Sequence, residues 1–102
     1  MELKTTGVAG TLESSDVMVT LEPADSGGIK LLLESTVLKQ YGRQIRETTL
    51  ATLERLGVRN AGVTVNDHGA LDCTITARVE CAYYRGCQRD ADGPYPWGGE
   101  IK

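Results

Sequence analysis

Few residues of this chain have the types and spacing that chemistry requires. The only histidine is His68, within Asn66-Asp67-His68-Gly69, and two serines stand between carboxylates in Glu13-Ser14-Ser15-Asp16. A nucleophilic serine needs a base within hydrogen-bond reach, itself oriented by an acid. Only a tertiary contact would bring His68 to Ser14, and there is no G-x-S-x-G elbow. A small serine hydrolase is therefore disfavoured, and His68 reads as a solvated turn residue. Gly7-Val8-Ala9-Gly10-Thr11 has the glycines of a phosphate loop but lacks the Lys and hydroxyl that engage phosphate and magnesium, so it reads as a loop or strand edge. Metal ligation finds no donor set. The carboxylates are scattered, His68 has no second ligand nearby, and Cys73, Cys81 and Cys87 follow no CxxC spacing and read as free thiols. Glu13-Ser14-Ser15-Asp16 falls in a break between apolar stretches and should project into solvent. On the residues alone two readings stay open: a polar turn bonded to its own backbone, or a serine that is modified, its acidic neighbours marking it for a basic partner.

The elements that must position this segment come from a chain of 102 residues, enough for one core and too short for two of ordinary size. Phenylalanine is absent, so the core must be aliphatic. A net charge of −3 gives no general attraction to nucleic acid or anionic lipid. No stretch free of charge exceeds the eight residues 5–12, far below the ~20 of a membrane-spanning helix. The N-terminus has neither the basic nor the apolar region of a secretory signal, which suggests a cytoplasmic protein.

Leu38, Tyr41, Ile45, Leu53 and Leu56 recur at helical spacing, with Gly42 and Thr49 in the same arc. They predict a helix from about Thr36 to Leu56, with Ser35 as N-cap and Gly57 ending it in the left-handed region. Upstream, Val17, Val19, Leu21 and then Ile29, Leu31, Leu33 alternate with more polar residues, predicting strands joined by the turn cluster 23–28 in an antiparallel hairpin. Val8 to Leu12 suggests a further short strand. Downstream, Val63 and Val65 lead through the Asn66–Gly69 turn to Leu71, Cys73, Ile75 and Ala77, which alternate as in a second hairpin and would bury Cys73. Residues 78–85 suit strand or helix equally. The expected fold is α+β, a two-layer antiparallel sheet of short strands and hairpins packed against one long helix. Residues 1–86 would form the domain and 87–102, rich in Gly and Pro, a flexible tail.

The string Val8-Ala-Gly-Thr-Leu-Glu-Ser-Ser-Asp16, followed by Leu38-Lys-Gln-Tyr-Gly-Arg-Gln-Ile-Arg46 and Gly69-Ala-Leu-Asp-Cys-Thr-Ile75, closely resembles the acyl carrier proteins of citrate lyase, the gamma chains, over residues 2 to 86. The resemblance implies a non-catalytic carrier subunit. Its Ser14 would carry, through a phosphodiester, the CoA-derived group 2'-(5''-phosphoribosyl)-3'-dephospho-CoA, whose thiol holds acetyl and citryl thioesters. Ser15 stands where some members of the family have glycine. The implied partners are the alpha (acyl transferase) and beta (lyase) subunits and a prosthetic-group transferase, and the implied process is cleavage of citrate to acetate and oxaloacetate. An interaction module with an unmodified serine turn is the alternative from another class.

Overall fold

The computed structural model describes residues 3–87. The tail expected over 87–102 thus lies outside the described residues apart from Cys87. The elements run β1 (Gly7–Gly10), β2 (Val17–Pro23), β3 (Ile29–Ser35), α1 (Leu38–Arg55), β4 (Ala61–Asp67) and α2 (Asp72–Cys87).

The strands form one sheet in the order β1-β2-β4-β3, β4 antiparallel to β2 and parallel to β3. The fold is α+β as expected, but the sheet is mixed, and the expected β2–β3 hairpin does not form because β4 lies between its two strands. A parallel neighbour requires a long crossover, and α1 provides it between β3 and β4. At the far end the Asn60 carboxamide accepts from Gly28 N–H at 2.9 Å, and Ala61 N–H donates to the Gly28 carbonyl at 3.2 Å, which fixes the start of β4 beside that of β3.

Alternation places one set of residues on a common face. Across the sheet, Gly7, Leu21, Val63 and Leu31 form one row, and Ala9, Val19, Val65 and Leu33 the next. Both helices cover this face. Ile45, Thr49, Thr52 and Leu53 of α1 and Ile75, Val79, Ala82, Tyr83 and Gly86 of α2 are buried. The hydroxyls of Thr49 and Thr52 donate to the carbonyls four residues back, each at 2.8 Å, so these two threonines can sit in an apolar layer.

The second expected hairpin is replaced by helix α2. Alternation at Leu71, Cys73, Ile75 and Ala77 competes with a helical stripe through Ile75, Val79, Ala82, Tyr83 and Gly86, and the stripe buries more apolar surface against β1 and β2. This resolves residues 78–85 as helix. It also corrects the expectation for Cys73, which is exposed, while Cys81 and Cys87 are half-buried.

α1 begins at Leu38 rather than Thr36, with Val37 in the N-cap position and no side-chain cap. Ser35 is not the cap because its hydroxyl donates to the Asp67 carboxylate at 2.8 Å while accepting from Val37 N–H at 3.0 Å. The C-terminus follows expectation. Gly57 has φ of 81°, and the amides of Gly57 and Val58 donate to the carbonyls of Glu54 and Leu53, the paired bonds of a Schellman ending. Leu38 and Tyr41, expected in the core, are 48% and 49% exposed because the first turns of α1 stand apart from the sheet face.

β1 meets α2 through glycine. A Cβ at Gly7 would overlap the Ala82 carbonyl oxygen, whereas one at Gly62, on the uncovered face, would meet nothing closer than 3.8 Å. Gly7→Ala should therefore destabilise by about 1–3 kcal/mol, and Gly62→Ala should stay within ~0.5 kcal/mol of the parent, both read by urea unfolding.

Candidate functional site

The last row of the covered face is Val17, Asp67 and Ser35, and it marks one edge of the sheet. Here the chain enters β2 from the Thr11–Asp16 loop and leaves β3 and β4 for the starts of α1 and α2. The loop therefore shares its edge with both positive helix ends.

The loop is braced from three sides. Ser15 N–H donates to the His68 carbonyl at 2.7 Å and His68 N–H to the Asp16 carbonyl at 2.9 Å, carrying the β2–β4 pairing past the strand ends. Asp16 N–H donates to the Glu13 carbonyl at 3.2 Å, closing a four-residue turn with Ser14 and Ser15 at its centre. The Asp16 carboxylate accepts from the Thr11 hydroxyl at 2.6 Å, from Val17 N–H at 2.7 Å, and from Arg78 Nε and Nη2 at 3.1 and 3.0 Å. The Thr11 hydroxyl in turn accepts from Glu13 N–H at 3.2 Å. Ser14 is exposed at the apex of this turn.

The bonding gives two of the loop's side chains a structural part. Thr11 and Asp16 hold the backbone, and Ser14 is presented to solvent. Ser15 has φ of 65°, the left-handed region that costs a residue with a Cβ about 1–2 kcal/mol and that the third position of such a turn assigns to glycine. Arg78, on the second turn of α2, is the residue the sequence did not single out. Its signal would have been a cation flanking the helical stripe of 75–86, readable only once that segment is known to be helix.

The tertiary contact that a hydrolase would need does form, but through the backbone. Asp67 is fully buried, and its carboxylate accepts from the Ser35 hydroxyl, Gly69 N–H at 3.0 Å and Ala70 N–H at 3.0 Å. These bonds aim the carboxylate at the β3 terminus and the β4–α2 connection, away from the task of orienting the His68 ring. Ser14, Asp67 and His68 are neighbours without being a triad.

Partial burial of Asp16, whose side chain is 13% exposed, tends to raise its pKa. The bonds from Thr11, Arg78 and Val17 and the charge of Arg78 outweigh this and lower it from 3.8 to about 2. A carboxylate with a depressed folded-state pKa contributes stability that is present above its unfolded value and is lost as pH falls through the folded one. Between pH 4 and pH 2 the parent should thus lose about 1–2 kcal/mol more than Asp16→Asn does, a figure reduced from the full linkage value because Arg78 is partly solvated. Thermal unfolding at a series of pH values checks this. At constant pH, Ser15→Gly should stabilise by about 0.5–1 kcal/mol, with relief of the left-handed conformation exceeding the added freedom of the unfolded chain.

Known proteins with similar sequences bear on this turn. The family model for the malonate decarboxylase delta subunit (MdcD) matches residues 4–86. The citrate lyase acyl carrier protein of Fusobacterium nucleatum subsp. nucleatum is 56% identical over 88 residues, covering 86% of this chain and 94% of that one. That of Streptococcus mutans is 52% identical over 97 residues, covering 95% and 92%. Among solved structures, a Pseudomonas malonate decarboxylase hetero-tetramer in complex with malonate contains a chain that shares the fold, with a TM-score of 0.60 at 21% identity over 81% of this chain and 89% of that chain. With more than half of the residues identical over most of both chains, and with the Ser14 turn inside the matched region, this chain belongs to the family of citrate lyase acyl carrier proteins.

Proposed function

We propose that Ser14 is the attachment point of a phosphodiester-linked phosphoribosyl-dephospho-CoA group, and that the chain works in the cytoplasm as the acyl carrier subunit of citrate lyase beside its alpha (acyl transferase) and beta (lyase) subunits. The observation that carries this reading is an exposed serine at the apex of a turn held in place by the Thr11, Asp16 and Arg78 side chains and the His68 backbone.

The turn fits such a group. A phosphodiester on Ser14 would bring negative charge close to Asp16, and the two-point Arg78 contact already offsets that carboxylate. Both helices begin at the same edge, which favours an anion there. When bound, the group supplies a thiol on a long tether that holds acyl groups as thioesters. The rest of the work belongs to the chain. The Ser15–His68 and Asp16–Arg78 bonds keep the apex in one place relative to the domain, so a tethered substrate can visit successive partner sites at high effective concentration. The chain itself is a non-catalytic carrier.

Intact-mass measurement of protein from its native host should show a mass above that of the sequence by one such group. Ser14→Ala should abolish the increment, and Ser15→Gly should retain it. Native protein at its sequence mass would instead support an interaction module with an unmodified serine.

A further inference from the structure

Between the first turns of α1 and the start of α2 lies an open groove of ≈ 570 Å³, within the ~300–1,000 Å³ range of small-molecule sites. Its lining includes Val37, Ile45 and Ala70, with Tyr41 on the α1 side and Leu71 on the α2 side. Tyr41 is 49% and Leu71 71% exposed. Two large apolar side chains left out of the core on either side of one groove call for a cover. The Gln44 carboxamide donates to both oxygens of Asp72, at 3.0 and 2.8 Å, and this pair bridges the groove between the two helices. Cys73, the most exposed of the three thiols, also lines it.

The groove and the Ser14 turn flank the same connection. Ser15 is bonded to the His68 carbonyl, and the next residue, Gly69, is the first of that connection to line the groove. Any flexible arm leaving Ser14 is therefore held beside this groove at an effective concentration on the order of millimolar, before any contact favours it. The lining matches the chemistry of a pantetheine arm, with apolar walls for methyl and methylene groups and an amide–carboxylate pair for its amides.

Building on the carrier function proposed above, we infer that the groove between α1 and α2 is an intramolecular dock for the pantetheine part of the arm on Ser14, seating the arm with its thiol end toward Cys73. Docking covers Tyr41 and Leu71 and withdraws the thiol from solvent between visits to partner subunits.

The test starts from isolated protein whose intact mass shows the group on Ser14. If no group is found, the carrier function fails and this inference fails with it. With the group present, amide chemical shifts of the modified and unmodified proteins are compared. Docking predicts changes at residues 37–45 and 69–73 in addition to the turn. Changes confined to residues 11–16 and 68 overturn it. Groove signals that are unaffected by the arm but shift when the alpha or beta subunit is added assign the groove to subunit docking and also overturn it. A second readout uses diamide, which takes two hydrogens from a pair of thiols as they join in a disulfide and is itself reduced to the hydrazine. The arm thiol should pair with Cys73 in preference to Cys81 and Cys87. In Tyr41→Ser/Leu71→Ser, whose altered side chains are exposed in the parent, the Cys73 cross-link should form roughly tenfold more slowly at an unchanged thermal midpoint. An unchanged cross-linking rate in that variant contradicts the dock.

Discussion

The Arg78 guanidinium on the Asp16 carboxylate joins two parts of the chain 62 residues apart, and the arrangement of the Ser14 turn depends on that junction. A two-point contact of this kind fixes orientation as well as distance. Asp16 can hold its charge while largely buried because Thr11 and Val17 N–H satisfy its remaining positions. Removing the cation would leave a desolvated carboxylate in the loop that presents the serine. Integrity of the turn and packing of α2 on β1 and β2 are thus one structural problem.

The central position of β4 sets the rest of the frame. By pairing with both β2 and β3 it aligns Val17, Asp67 and Ser35 at one edge, and Asp67 then bonds the β3 terminus and the connection to α2 at once. The Ser14 loop, the starts of both helices and the groove between them share an edge for this reason. A carrier needs little more: a stable body, one fixed point of attachment and surfaces that the tether can reach.

Much of this frame was legible in the sequence, and the failures have definite physical causes. β2 and β3 read from alternation, and α1 from its apolar arc, because those residues face a core at a fixed local period. β1 lies at Gly7–Gly10 instead of Val8 to Leu12, and the end of β4, Asn66 and Asp67, reads as the following turn. The sheet order did not read, because β4 reaches its place between β2 and β3 through hydrogen bonds between residues distant in sequence, and local period carries no information about them. The first turns of α2 read as a strand, and 78–85 as strand or helix equally, because residues 71–77 satisfy period two by coincidence, while the spacing of Ile75, Val79, Ala82 and Gly86 carries the helical stripe. Cys73 was misplaced for the same reason. Leu38 and Tyr41 continue the apolar arc of α1 beyond the surface it packs against, and periodicity cannot show where a partner surface ends. The Ser14 segment was found by its residue types and by family resemblance, whereas Arg78 and His68, which brace it, come from distant parts of the chain.

The proposed attachment at Ser14 depends on the domain holding the turn in a fixed presentation. The most direct test is the kcat/KM of the prosthetic-group transferase on Arg78→Gln compared with the parent, each shown folded by its unfolding transition. Arg78→Gln should fold and be modified at least ~10-fold less efficiently, a loss of about 1.4 kcal/mol in transition-state binding. Modification of folded Arg78→Gln at the parental rate would contradict that dependence.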